Sequence, residues 1–391
     1  MNNPKILFVC DKNECTSFGR LTLNLAKAVS GRYEAHVLWL KTPKFFPDDA
    51  KRDVLGSGDG ACCEFHETWA KSLYTGFFSF RRPLKKIICE LNPDVVFLIR
   101  PELGFLVPVA RNAASVAAKE NGRSVPAKTI MFVHDTFAET LYPHSLKFKF
   151  LNVFYIRDCV KADSFVFNSE WTRKNACEYF GTNMSTRPGS VIGCPIDRDL
   201  FNRPSSPVAD EERRAFRRRH GMRNFSGMCL NVSLDEPRKN IDTYFEMARL
   251  RPDVAFVRVG KVSERLRNLI NEKKLYNVFH FERFRPAELR DFYRHADLMV
   301  YPSFLEGFGL PPIEAIACGT PALCAATSAV RENLEGVCPL IDPPTDALAY
   351  AEVLDRVLAR ENIMDDALAD KLLERCSMAE FAKRVVAAVE Q

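Results

Sequence analysis

Short apolar runs alternate with helix-length amphipathic segments along the whole chain, the pattern of a parallel sheet covered by helices. A first series of predicted strands falls near 5–10, 34–40, 95–99, 129–134, 164–167 and 190–193. After the polar, proline-containing stretch from Asn202 to Pro207, a second series falls near 228–232, 254–260, 278–281, 298–302, 321–325 and 337–341. The expected fold class is α/β, two Rossmann-like doubly wound domains in tandem, with a hinge near 195–207. The expected domains are 1–197 and 198–376. The last amphipathic segment, Met378 to Val389, reads as a helix.

The most informative segment is 301–321, Tyr-Pro-Ser-Phe-Leu-Glu-Gly-Phe-Gly-Leu-Pro-Pro-Ile-Glu-Ala-Ile-Ala-Cys-Gly-Thr-Pro. Leu298-Met299-Val300-Tyr301 reads as a buried strand, Pro311 or Pro312 suits a helix start, and Gly319 suits its stop. Gly307 and Gly309 let backbone approach a ligand where a helix N-terminus presents free N–H groups to an anion. Glu306 precedes the turn, and Glu314 follows eight residues later, in the expected first helical turn. A carboxylate pointing into an anion cradle would repel phosphate, so these two are suited to neutral hydroxyls, as acidic residues are with ribose. The combination predicts a site for a phosphorylated sugar.

Composition narrows the class. The chain has 391 residues, 47% hydrophobic and 27% charged, as in a soluble globular protein with room for two or three domains. A net charge of +5 is too modest to imply nucleic acid. No stretch is long enough to span a bilayer, and the opening residues run directly into the strand Ile6–Cys10 without a signal peptide. Thirteen cysteines are scattered, without a Cys-x-x-Cys pair. Those in apolar runs, such as Cys10, Cys229 and Cys324, read as small hydrophobes, and adjacent Cys62 and Cys63 as inert loop thiols. The expected compartment is the cytoplasm. The basic run Arg213 to Arg219 reads as a solvated helix face.

Other residues gather at predicted strand ends. Leu234-Asp235-Glu236-Pro237-Arg238-Lys239-Asn240 follows the first strand of the second series, with Asn240 and Asp242 as nearby helix caps. Arg238 can fork onto phosphate oxygens and Lys239 can add a point charge. A loop at the sheet mouth predicts little loss of stability on replacing Lys239. His134-Asp135 ends a first-series strand, where sites lie in such sheets.

Segment 301–321 closely resembles the Glu-x7-Glu signature of the retaining glycosyltransferases of family 4, which have the GT-B architecture of two Rossmann-like domains facing a central cleft. Glu236-Pro237-Arg238-Lys239-Asn240 resembles that family's diphosphate loop, His134-Asp135 its feature facing the transferred sugar, and Ser17-Phe18-Gly19-Arg20 its N-terminal glycine loop. Two departures stand out. Ser233 occupies a position where many members carry arginine, and Phe18 precedes Gly19 in place of a double glycine. Asn168-Ser169-Glu170 and Ile192 to Asp197 resemble structural turns of the family.

By this resemblance, domain 1–197 binds the acceptor, domain 198–376 binds the nucleotide-sugar donor, and residues 377–391 return to the first domain. The implied catalytic residues are His134, Glu306 and Lys239. The implied donor-binding residues are Gly19, Arg238, Lys239, Glu306, Gly307, Phe308, Gly309, Leu310 and Glu314. Glu314 would hold ribose and Glu306 the sugar hydroxyls. The cations and the 307–310 amides would carry the diphosphate, so no metal and no cofactor is expected. Cys15 and Thr16 would contact the acceptor, and the loops 283–285 and 325–328 would read base and sugar.

The expected activity is retaining transfer of a hexose-like sugar from a nucleotide-diphosphate sugar to a glycan, lipid-linked or other hydroxyl. Two alternatives are a nucleotide-sugar epimerase on the same fold and a silent sugar-nucleotide-binding subunit. Tyr74 to Phe80, followed by Arg81, Arg82, Lys85 and Lys86, mixes aromatics with cations. It reads either as a buried segment with a basic end or as a peripheral contact with an anionic membrane on the cytoplasmic side.

Overall fold

The computed structural model describes residues 3–13, 16–42, 62–69, 79–136, 145–282 and 284–391. The chain divides into two compact units, Met1–Pro195 with Met378–Gln391, and Ile196–Ser377.

Unit 1 is built on a seven-stranded sheet. Its strands are β1 (Lys5–Cys10), β2 (Glu34–Lys41), β3 (Glu64–Trp69), β4 (Val95–Leu98), β5 (Lys128–Val133), β6 (Ser164–Phe167) and β7 (Gly189–Val191). They lie in the order β3-β2-β1-β4-β5-β6-β7, every pair parallel. Strand residues alternate between faces. Ile6, Phe8 and Cys10 enter one core, while Leu7 and Val9 enter the other. The helix Met378–Glu390 belongs to this unit. Its Phe381, Val385, Ala388 and Val389 complete the first of these cores beside Leu25, Ala26 and Val29 of the helix Ser17–Val29.

The sequence pattern misses β3. Its Glu-Phe-His-Glu-Thr-Trp has no apolar run, because an edge strand has only one neighbour and no fully buried residue. Tyr74 to Phe78 lie outside the described residues. Phe80, Leu84 and Ile88, around the helix Arg81–Leu91, are core. No helix among the described residues is long and apolar enough to cross a membrane.

Unit 2 carries six strands, β8 (Gly227–Val232), β9 (Val254–Val259), β10 (Val278–Phe281), β11 (Leu298–Tyr301), β12 (Ala322–Ala325) and β13 (Leu340–Ile341). They lie in the order β10-β9-β8-β11-β12-β13, again all parallel. The basic run forms the helix Asp210–Arg219, largely solvated, but Arg217 is buried against Asp297 at 3.3 Å. In both sheets strand order reverses at one point, between β1 and β4 and between β8 and β11. Connections leave such a point in opposite directions and open a crevice beyond the strand C-termini.

Candidate functional site

In unit 2 that crevice is bordered by the loop after β8 and the loop after β11. The first turns through Asn240, whose backbone is left-handed at φ 50°. Its side-chain amide donates to Pro302 O at 3.0 Å and Pro344 O at 2.8 Å instead of capping its own helix. The Phe304 N–H donates to Arg238 O at 2.7 Å. Thus the two loops are zipped together, and the cations of one meet the carboxylate of the other.

Lys239 Nζ donates to Glu306 Oε1 at 2.6 Å and to Tyr301 OH at 3.1 Å. Arg238 donates to Glu306 Oε2 and Leu305 O, both at 3.0 Å, and pairs with Glu236 at 2.7 Å. Glu306 is 6% exposed and Lys239 7%. Burial alone would raise the Glu306 carboxyl, but Lys239 and then Arg238 outweigh it and hold it below the ordinary value. Lys239 is lowered, by burial first, against the opposing pull of Glu306. The small stability role expected of Lys239 is therefore corrected: it is a buried member of an ion cluster, not a mobile cation at the sheet mouth.

The glycine turn leads into the helix Leu310–Ala317. Gly309, its N-cap, has φ 89°, and a Cβ there would stand 3.1 Å from Val330 Cγ2. Phe308 O accepts from Asn333 Nδ2 at 2.7 Å, and the Glu306 N–H donates to Ser328 Oγ at 2.8 Å. Ser328 and Thr327, whose hydroxyl donates to Ser303 O at 2.7 Å, thereby hold the Glu306 loop. Glu314 is the fifth helical residue, so it sits in the second turn, which corrects the first-turn expectation. It is half-buried and accepts from Tyr293 OH at 2.9 Å. One turn further in, it stands back from the free N–H groups of the helix start.

Ser233, at the departure from the family pattern, donates to Asn231 Oδ1 at 2.7 Å. Its carbonyl accepts from Arg258, which is 0% exposed and also donates to Gly260 O and Lys261 O. Arg258 thus clamps the loops after β8 and β9. Its apolar strand context gave no hint of this.

In unit 1, Thr16 caps the helix Ser17–Val29, its Oγ1 accepting from the Gly19 N–H at 3.1 Å. That amide is thereby already used. Phe18 packs edge-on against the His134 ring, centroids 4.3 Å apart, and Arg100 lies over Phe18 at 5.3 Å. His134 Nε2 is 3.2 Å from Asp135 Oδ2, while its Nδ1 is buried without a hydrogen-bond partner among the described residues. The His134 carbonyl accepts from Asn168 Nδ2 at 2.9 Å.

Beside these stands a cluster the sequence reading missed, from the loops after β1 and β4. Arg100 Nε donates to Glu102 Oε2 at 2.9 Å and faces Asp11 at 3.6 Å, and Lys12 faces Asp11 at 3.4 Å. Burial would raise Glu102, but Arg100 overrides it and holds the carboxyl at about 2. Burial also lowers Lys12 to about 8.

Cys15 and Arg283 lie outside the described residues. Arg285 is exposed and pairs with Glu288 at 3.0 Å. The Cys63 thiol is pushed up to about 12 by burial and Cys62, which leaves it protonated and unreactive.

Residues 212–376 match the family described as Glycosyl transferases group 1. A D-inositol 3-phosphate glycosyltransferase from Geodermatophilus obscurus is 29% identical over 221 residues, 52% of this chain and 47% of that one. One from Frankia alni is 43% identical over 185 residues, 43% and 44% of the two chains. The chain spans about half the length of the curated relatives it matches. The crystal structure of Anabaena HepE in complex with UDP and glucose superimposes with a TM-score of 0.73 at 16% identity, over 99% of this chain and 100% of that one. Two parallel-sheet α/β domains of the GT-B type, with a C-terminal region matching group 1 glycosyltransferases, are what sequence and fold together assign to this chain.

Proposed function

We propose that this chain is a retaining glycosyltransferase that moves a hexose-like sugar from a nucleotide-diphosphate sugar to an acceptor hydroxyl, without a metal. Unit 2 is the donor side and unit 1 the acceptor side. The bond from the anomeric carbon to the diphosphate breaks, a bond to the acceptor oxygen forms on the same face, and the diphosphate leaves with growing negative charge on the oxygen that takes up the acceptor hydroxyl's proton. Fixed cations and amides that meet this charge lower the barrier. The observation that carries the reading is the buried Arg238–Lys239–Glu306 cluster at the switch point of the second sheet, beside the glycine turn.

In this reading Arg238, Lys239 and the amides of Gly307, Phe308, Gly309 and Leu310 take the diphosphate. Glu306 takes sugar hydroxyls while fixing both cations, and Glu314, already accepting from Tyr293, takes ribose. His134 orients the transferred sugar, with its unpartnered Nδ1 as the free hydrogen-bonding atom. Gly19 leaves room for the donor phosphates. The relatives' names support a glycosyl donor, and the UDP bound to HepE supports uridine diphosphate as the first donor nucleotide to try.

A thermal-shift screen of UDP-, GDP- and ADP-sugars tests this, since a bound donor raises the melting temperature by mass action. Labelled-donor turnover in excess EDTA tests the metal-independent route. No shift with any nucleotide sugar would overturn the donor assignment. An absolute requirement for added Mg²⁺ or Mn²⁺ would overturn the mechanism.

A further inference from the structure

The β2–β3 edge of the first sheet carries a Glu-x-His spelling twice, Glu34-Ala35-His36 and Glu64-Phe65-His66. Alternate strand residues share a face, and the parallel register sets His36 opposite Glu64 and Leu38 opposite His66. All four ionisable side chains therefore fall on one face. His36 Nδ1 lies 3.3 Å from His66 Nε2 and 3.4 Å from Glu64 Oε2. One donor atom from each of the three residues lies within 4.8 Å of the others. On its other side, His36 Nε2 is 3.0 Å from Glu34 Oε1, which Lys5 Nζ also approaches at 3.4 Å.

Tetrahedral Zn²⁺, with bonds of about 2.0–2.1 Å, holds its ligand atoms about 3.3 Å apart. Both spacings at His36 Nδ1 fit that edge. A hydrogen bond from His66 to His36 explains one contact only, and 3.3 Å is long for it. It leaves the Glu64 carboxylate facing the lone pair of a neutral imidazole. Glu34 Oε1 is placed to accept a hydrogen bond from Nε2–H, as an outer carboxylate does at a zinc histidine, which leaves the Nδ1 lone pair for a metal.

We infer that His36 Nδ1, His66 Nε2 and Glu64 Oε2 form a Zn²⁺ site, completed by water, with Glu34 fixing the His36 tautomer. The ion clasps β3, a polar edge strand, to β2. Half-exposed His66 and exposed Glu64 give it a route in from solvent. It takes no part in glycosyl transfer, so failure of this inference leaves the proposed function standing, and the reverse also holds.

The test uses the full chain stripped with chelator, titrated with Zn²⁺ against a chromophoric competitor and with Co²⁺ as a visible probe. One ion per chain is expected, with the intense visible bands of tetrahedral Co²⁺ and a melting temperature raised by Zn²⁺. Glu34→Gln should weaken binding about 10–100-fold. His66→Ala and Glu64→Ala, each removing a direct ligand, should weaken it more and abolish the thermal shift. Both sit at the sheet edge, and circular dichroism checks that they fold, which replacing buried His36 does not guarantee. A stripped chain that takes up no Zn²⁺ overturns the site, as does uptake that both edge variants leave unchanged.

Discussion

Replacing Glu306 by glutamine removes the one charge that joins both cations of the unit 2 cluster. Arg238 keeps Glu236 at 2.7 Å and the Leu305 carbonyl at 3.0 Å, so the loss falls on Lys239. That ammonium, 7% exposed, retains Tyr301 OH and a neutral amide. Stripping one partner from a buried pair costs about 3–5 kcal/mol. Because one cation stays paired, we expect about 3 kcal/mol for Glu306→Gln. Lys239→Met leaves Glu306 on Arg238 and loses one charge-assisted hydrogen bond, about 1–2 kcal/mol after relief of lysine desolvation. The double variant removes both charges together, so the cycle should give a coupling of about 2 kcal/mol.

All three tryptophans, Trp39, Trp69 and Trp171, lie in unit 1. Denaturant unfolding followed by far-ultraviolet circular dichroism should therefore show the loss, while tryptophan fluorescence should report an unchanged unit 1. The cost should also shrink as pH rises. An unpaired buried lysine has a lowered folded-state pKa, so its penalty is full below that value and vanishes toward its ordinary value of 10.5. A Glu306→Gln chain within about 0.5 kcal/mol of the parent, with no coupling to Lys239→Met, would refute the cluster as a stabilising unit.

Glu314→Ala should lower affinity for the bare nucleoside diphosphate by about 1.5–3 kcal/mol, roughly 10–150-fold, in calorimetry; unchanged affinity would remove Glu314 from the ribose. The folded-state carboxyl of Glu102 sits at about 2, below its ordinary value of 4.5. Its contribution to stability is thus complete above about pH 4.5 and lost as pH falls toward 2, and Glu102→Gln should flatten that acid limb of the melting profile. Gly260 has φ +140°, and a Cβ would stand 2.0 Å from Ser233 O. Gly260→Ala should therefore part the loops after β8 and β9 and cost more than about 2 kcal/mol by denaturant titration.

What the sequence determined by itself is local. Alternating strand and helix periodicity specified two parallel sheets, because a β-strand buried on both faces needs an unbroken apolar run. The strand–glycine turn–helix at 298–318 was readable, because turn, proline start and glycine stop act within a few residues of one another. Ser169, in a segment that the resemblance marked as a structural turn, caps the helix after it, its hydroxyl accepting from the Thr172 N–H at 3.0 Å.

Tertiary structure decided what strand order brings together. Only the adjacency of β8 and β11 joins Lys239 to Glu306 across 67 positions and turns a loop cation into a buried one. Asp11 meets Arg100, which also holds Glu102, because β1 lies beside β4. Glu314 pairs with Tyr293 only because their two helices pack together. His36 and His66 stand 30 residues apart, and the register of two neighbouring strands alone sets their nitrogens at 3.3 Å. Periodicity along a chain reports which face a residue takes; which partner it meets there depends on long-range pairing that no local pattern encodes.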